Sequence, residues 1–140
     1  MKILLAVDGS EYTKKMLAYL TTHDSLFTPD NDYTIFTAQP QLPARARAAV
    51  GKEIVERYHT EEAEKILGPV SKFLLRHGID AKSQWKVGHA GESVAKLAKS
   101  GKFDLVVMGS HGHGTLANLV MGSVATQVIA NCDVPILLIR

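Results

Sequence analysis

Gly109-Ser110-His111-Gly112-His113-Gly114 interleaves three glycines with a hydroxyl and two imidazoles, and Gly122-Ser123 follows at the head of a regular apolar stripe. Glycine lets backbone amides approach an anion with no β-carbon in the way, and a helix start adds unpaired N–H groups and a favourable dipole. Such a segment suits a phosphate. It equally suits a tight strand-to-loop turn whose glycines serve only its dihedrals. The second candidate is Asp8-Gly9-Ser10, an acid set at the end of a short apolar run. Asp8 either faces a ligand or caps the next helix and satisfies nearby amides.

Other chemistries fit poorly. There is no G-x-x-x-x-G-K-[ST], because the Gly-Lys pairs at 51 and 101 lack the upstream glycine and the downstream hydroxyl. The first strand turns through Asp8-Gly9-Ser10 rather than G-x-G-x-x-G, which speaks against a standard dinucleotide site. Ser10, Ser110 and Ser123 do not sit in a G-x-S-x-G elbow, so a hydrolase triad is disfavoured. His111 and His113 form one His-x-His with no assured third ligand, a weak metal signal. They read better as donors near a phosphate. His23, His59, His77 and His89 are scattered and read as surface or helix-end residues. Cys132 falls in a helix-core spacing and reads as a small buried hydrophobe.

The elements that must position these residues follow from hydrophobic period. Ile3 to Val7 is apolar without alternation, as in a strand buried on both faces. From Ser10, placed to cap, the period turns helical, with Met16, Leu17 and Leu20 on one side. A turn-rich link from Thr22 to Asp32 leads to a β-branched and aromatic strand, Tyr33 to Ala38. Gln39 to Gly51 has no pattern and reads as a loop; its Arg45 and Arg47 reach a phosphate only if it folds over the site. A long helical pattern runs from Lys52 to His77, where Pro69 removes a donor and predicts a kink or break near Leu67 and Gly68. Ile79 to Val87 is polar enough for a sheet edge. A helix over Gly91 to Lys99 precedes a buried strand, Asp104 to Met108. Met121, Val124, Ala125, Val128, Ile129 and Cys132 then recur at i, i+3, i+4, i+7, i+8 and i+11, the clearest helical signal in the chain. Ile136 to Ile139 is the last strand.

Strands separated by helices run parallel, because each crossover returns the chain to the same edge. The expectation is one doubly wound α/β domain over 1–140, with a five-stranded parallel sheet and four helices. In such sheets ligands bind beyond the carboxyl ends of the strands where the order reverses. Asp8-Gly9-Ser10 and Gly109 to Gly114 fall there.

Composition sets bounds on function. The chain has 140 residues, 46% hydrophobic and 21% charged, with 16 Lys and Arg against 14 Asp and Glu. That balance is too even for a nucleic-acid surface, which needs a clustered basic face. No apolar run approaches a membrane span, and the opening Met1 to Val7 meets Asp8 too early for a signal peptide. With a single cysteine there is no internal disulfide, and a cytoplasmic setting is expected.

Gly109-x-x-Gly112, nine residues, then Gly122-Ser123 resembles the G-2x-G-9x-G-[ST] signature of the ATP-binding universal stress proteins. The likeness extends over the whole chain, from Ile3-Leu4-Leu5-Ala6-Val7-Asp8-Gly9-Ser10 through Gly88 and Asp104-Leu105-Val106-Val107-Met108-Gly109-Ser110 to Cys132-Asp133-Val134-Pro135-Ile136-Leu137-Leu138-Ile139. It implies strand order 3-2-1-4-5. It also implies that Asp8 and Ala38, the latter through its backbone, lie beside adenine and ribose, with Met108 and Gly109 on the ribose side. Gly112, Gly122, Ser123 and Val124 would hold the phosphates, with His111 and His113 near them. ATP, or ADP or AMP, is the implied ligand, with Mg²⁺ or Mn²⁺ bound through its phosphates rather than by protein. A homodimer through Ile136 to Ile139 is implied too, and that strand reads as an exposed apolar edge. Ala90-Gly91 departs from the proline-containing turn expected after Gly88, and Gln39-Pro40 stands where members vary.

The implied function is a nucleotide-dependent regulatory module in a stress response, not an enzyme. One alternative is a slow ATPase or autophosphorylating protein, which lacks a cradle lysine and has no evident base besides Asp8 or the two histidines. The other is a partner-binding stress protein that ignores nucleotides.

Overall fold

The computed structural model describes residues 1–113 and 120–140. The element order is β1 (Lys2–Ala6), α1 (Glu11–Thr22), β2 (Asp32–Gln39), α2 (Ala44–Val50), α3 (Lys52–Arg76), β3 (Lys82–Val87), α4 (Ala90–Ser100), β4 (Leu105–Gly109), α5 (Ser123–Asn131) and β5 (Ile136–Ile139). The strands form one parallel sheet in the order β3-β2-β1-β4-β5. This is the expected doubly wound α/β fold. Gly114 and Thr115 to Leu119 of the glycine-rich segment lie outside the described residues.

Period-free apolar runs went where they must. Leu4, Leu5, Val106 and Val107 are fully buried, because helices cover both faces of β1 and β4. Ile3 and Leu5 of β1, and Val7 just beyond it, pack with Met16, Leu20, Leu67 and Leu74 of α1 and α3. Even positions across the sheet, Leu4, Phe36, Val106 and Met108, pack with Val94 and Val128 of α4 and α5. The sheet thus separates two apolar layers. Truncating any one of these leucines to alanine is worth about 2–5 kcal/mol.

Several expectations need correction. The described residues hold five helices, not four, because α2 occupies most of the stretch read as a loop. None of its residues is buried, so it leaves no apolar period in the sequence. Helix α3 runs unbroken through Pro69. Ala63, Leu67, Val70 and Leu74 bury one continuous face on the sheet, and that packing holds both halves in line. His59 is buried rather than superficial, lying beside the Trp85 ring of β3. Neither of its ring nitrogens has a hydrogen-bond partner among the described residues. Strand β5 is an edge, but Ile136, Leu137 and Leu138 are half-buried and Ile139 is buried, so it is less exposed than its composition suggests. Strand β3, the other edge, carries exposed Lys82, Ser83, Gln84 and Lys86 as expected.

Below the sheet, Tyr33 is almost wholly buried, donating its hydroxyl to the Thr28 carbonyl at 2.8 Å and accepting from Asn31 Nδ2 at 3.3 Å. Desolvation pushes the phenol pKa up, partly offset by the Asn31 hydrogen bond.

Candidate functional site

The strands differ in length, and that difference opens the site. Ala6, the last residue of β1, pairs with Phe36 and Met108, while β2 runs on to Gln39 and β4 to Gly109. Above β1 a gap is left between its two neighbours. Val7 N–H donates to the Phe36 carbonyl and Gly88 N–H to the Gln39 carbonyl. Backbone groups of a parallel strand alternate between its two neighbours, so the N–H and C=O of Ala38 turn toward the gap. By the same alternation, Ser110 N–H reaches the Ile139 carbonyl of β5, and Gly109 turns its backbone to the gap from the other side. This is the point where the strand order reverses, the usual ligand position in an open α/β sheet.

A cavity of about 440 Å³ occupies the gap. All ten candidate residues read from the sequence and its family resemblance line it: Asp8, Ala38, Met108, Gly109, His111, Gly112, His113, Gly122, Ser123 and Val124. The sequence reading missed Ala6, Val7, Thr13, Phe36, Thr37, Ala90, Val94 and Ala125. Helical period places Val94 and Ala125 on inward faces, and that signal was available. Nothing in the sequence marks Thr13. The inner wall is apolar, with Phe36, Ala38, Val94 and Met108, and the rim is polar, a division typical of small-molecule sites. Among the described lining residues there is no lysine or arginine. Arg45 and Arg47 stand on α2 and do not line the cavity.

Asp8 is fixed by its own loop. Its Oδ1 accepts from Ser10 N–H at 2.9 Å and from the Thr13 hydroxyl at 3.0 Å, and Thr13 Oγ1 in turn accepts from Asp8 N–H at 3.1 Å. The carboxylate thus satisfies the amide of Ser10, whose own buried hydroxyl makes no cap bond and has no partner among the described residues. Asp8 both satisfies a nearby amide and lines the cavity.

The glycines prove to be there for close approach. Gly109, Gly112 and Gly122 are absent from the positive-φ positions, which among the described residues are Gly9, Gly51, Gly78, Gly88 and Lys102. A β-carbon on Gly109 would lie 2.6 Å from Tyr12 Cβ. On Gly122 it would lie 3.1 Å from His111 Cα and 3.3 Å from the Ser110 carbonyl oxygen. Gly122 N–H donates to that same carbonyl at 2.7 Å, pinning the start of α5 to the end of β4. The first helical bond of α5 runs from Thr126 N–H to the Gly122 carbonyl, so the amides of Ser123, Val124 and Ala125 have no acceptor inside the helix. All three residues line the cavity.

The histidines close the rim. His113 Nε2 donates to the Asp8 carbonyl at 2.7 Å, joining the glycine segment to the end of β1. His111 Nδ1 lies 2.9 Å from the Ser110 hydroxyl, and its ring leans on Tyr12 at 5.0 Å, with Lys15 Nζ 4.7 Å from the centroid of that Tyr12 ring. Among the described residues no group of three His, Cys, Asp or Glu side chains is arranged to hold a metal ion.

Residues 1–140 match the universal stress protein family throughout. The chain belongs to that family. The universal stress protein Slr1230 of Synechocystis is 30% identical over 139 residues, covering 99% of this chain but 42% of its own length. This chain thus spans less than half of that relative. MJ0531 of Methanocaldococcus jannaschii is 25% identical, with 99% of this chain and 81% of its own length covered. Among solved structures, that of the protein MJ0577 superposes with a TM-score of 0.79 at 26% identity, covering 99% of this chain and 94% of that one. A universal stress protein from Archaeoglobus fulgidus in complex with dAMP has a TM-score of 0.67 at 20% identity, covering 100% and 98%. A family protein from Arabidopsis thaliana with AMP bound has 0.68 at 14%, covering 99% and 91%. The last two share the fold. No described helix is long and apolar enough to cross a membrane.

Proposed function

We propose that this universal stress protein family member binds an adenine nucleotide, ATP or its di- or monophosphate, and acts as a nucleotide-dependent regulatory module rather than as an enzyme. One observation carries the reading: the backbone groups of Ala38 and the first-turn amides of α5 border one cavity. An exocyclic amine and ring nitrogen of a purine are matched by a paired N–H and C=O, as at Ala38. Phosphates are matched by helix-start amides and the Ser123 hydroxyl. Family neighbours of the same fold that carry AMP or dAMP lend support from outside the chain.

With no cationic side chain among the described lining residues, the phosphates would bring Mg²⁺ or Mn²⁺ with them, and Asp8, already accepting two hydrogen bonds, would face ribose. The same lack of a lysine or arginine among the described lining residues argues for slow hydrolysis or none. Regulation follows if loop states differ in nucleotide affinity, since only differential binding shifts an equilibrium. A second copy pairing through β5 completes the proposal, because that edge leaves main-chain donors and acceptors open.

Calorimetric titration with ATP, ADP and AMP, each with Mg²⁺, tests the binding. Saturable heat and a raised melting temperature are expected. Zero heat together with an unmoved melting temperature would overturn the reading. Rapid ATP turnover lost in Asp8→Asn would overturn the non-enzymatic part, and a monomer in sedimentation at all concentrations would overturn the dimer.

A further inference from the structure

Helix α2 and the first two turns of α3 form an arm with no buried residue from Ala44 to Tyr58. Only at His59 does α3 first meet the body of the protein. Helices this short draw most of their stability from packing an apolar face, yet this arm turns its large apolar side chains outward. Val50, Ile54 and Tyr58 are 44%, 52% and 44% exposed. Ile54 and Tyr58 lie one turn apart on the same side of α3, and Val50 stands where the two helices join. Gly51 makes that joint with φ of 86°, and nothing lies within 4 Å of where its β-carbon would be.

The charge of the arm states what it fits. The arm carries four cations, Arg45, Arg47, Lys52 and Arg57, against two acids, Glu53 and Glu56, and the seven residues of α2 carry two cations and no acid. We infer that the arm docks an acidic protein segment bearing apolar side chains, which would cover Val50, Ile54 and Tyr58 and pair with Arg45 and Arg47. Tyrosine and arginine around an exposed aliphatic are the side chains that dominate protein contacts. Nucleic acid would neutralise the arginines but leave the apolar stripe wet, and the arm is not a basic stripe of the kind phosphate backbones need. The arm stands outside the cavity wall, so this inference does not rest on nucleotide binding.

Fluorescence anisotropy tests it with a labelled helical peptide of about fifteen residues presenting Glu beside Leu and Phe, and with a twin in which Lys replaces Glu. Poly-glutamate of equal length, single-stranded DNA and phosphatidylserine vesicles complete the probes. Wild-type protein is expected to prefer the acidic apolar peptide over its Lys twin and over poly-glutamate by about tenfold or more. The Arg45→Glu/Arg47→Glu variant is expected to lose that preference and turn toward the Lys twin, and Ile54→Ser/Tyr58→Ser to weaken both. Far-UV circular dichroism and melting temperature check that the variants remain folded. The inference fails if the acidic peptide does not bind, if either variant binds it as wild type does, or if poly-glutamate binds equally well. It also fails if DNA or vesicles bind more tightly than the peptide, or if the Arg45→Glu/Arg47→Glu variant abolishes a dimer that wild type forms.

Discussion

Gly112 lies so close to Asp8 that a β-carbon built on it would stand 2.6 Å from the carboxylate oxygen Oδ2. The acid at the end of β1 and the glycine beyond β4 thus share one space, and neither accommodates change alone. Gly112→Ala is expected to destabilise the protein by about 1–3 kcal/mol, the usual cost of overpacking. Because Oδ1 is held by Ser10 and Thr13, the carboxylate has little room to retreat. In an Asp8→Ala background most of the Gly112→Ala penalty should vanish, giving a coupling of about 1 kcal/mol or more in a double-mutant cycle by urea denaturation. Additive effects would show that the contact is relieved elsewhere.

Ser123 offers a cleaner probe of the site than Gly122. Adding a side chain at Gly122 pushes against His111 and Ser110 before it touches any ligand, so its effect mixes loop displacement with binding. Ser123→Ala removes one exposed hydroxyl at the first position of α5. Titration should show nucleotide affinity lower by about five- to tenfold, roughly 1–1.4 kcal/mol for one lost hydrogen bond to a charged group. The melting temperature of the unliganded protein should not move.

His59 is a polar side chain in an apolar place. Its two nitrogens lack partners among the described residues, and Trp85 and Tyr58 flank the ring. Replacing such a group with an apolar one of similar shape is neutral or stabilising. His59→Phe is therefore expected to leave stability unchanged or raise it by about 1 kcal/mol in denaturant melts. A loss above about 2 kcal/mol would mean that the imidazole has a hydrogen-bonding role.

Tyr33 sets an alkaline limit. Burial raises its folded pKa, so above about pH 10 the unfolded chain loses the phenolic proton first. The unfolded state then binds fewer protons than the folded one, and stability falls as pH rises. Below that range the contribution is fully present. Tyr33→Phe forfeits the hydrogen bond to Thr28, about 1 kcal/mol at neutral pH, but should show a shallower decline above about pH 10. Parallel slopes would remove Tyr33 from the account.

Strand and helix types were legible wherever one face is buried, because burial writes a period into the sequence. Residues 44–58 bury nothing, so α2 left no trace between Pro43 and Gly51. Pro69 was legible as a missing donor, whereas the packing of Leu67, Val70 and Leu74 that overrides it is a property of the sheet beneath. The burial of His59 depends on Trp85, 26 positions away in sequence, and nothing local announces it. At the site, the glycines and Asp8 stood out by residue type. Their physical reason did not, since close approach between β1, β4 and α5 is invisible until those elements are side by side. Thr13, which fixes the carboxylate, has an ordinary residue type in an ordinary place.

The sheet keeps its two apolar layers apart except above β1, where Val7 and Thr13 from one side and Phe36, Val94 and Ala125 from the other wall a common chamber. An occupant there is a keystone: it makes α1 and α5 part of a single cooperative unit. Amide hydrogen exchange in those two helices should then slow in concert as the chamber fills, and each should open at its own rate when it is emptied.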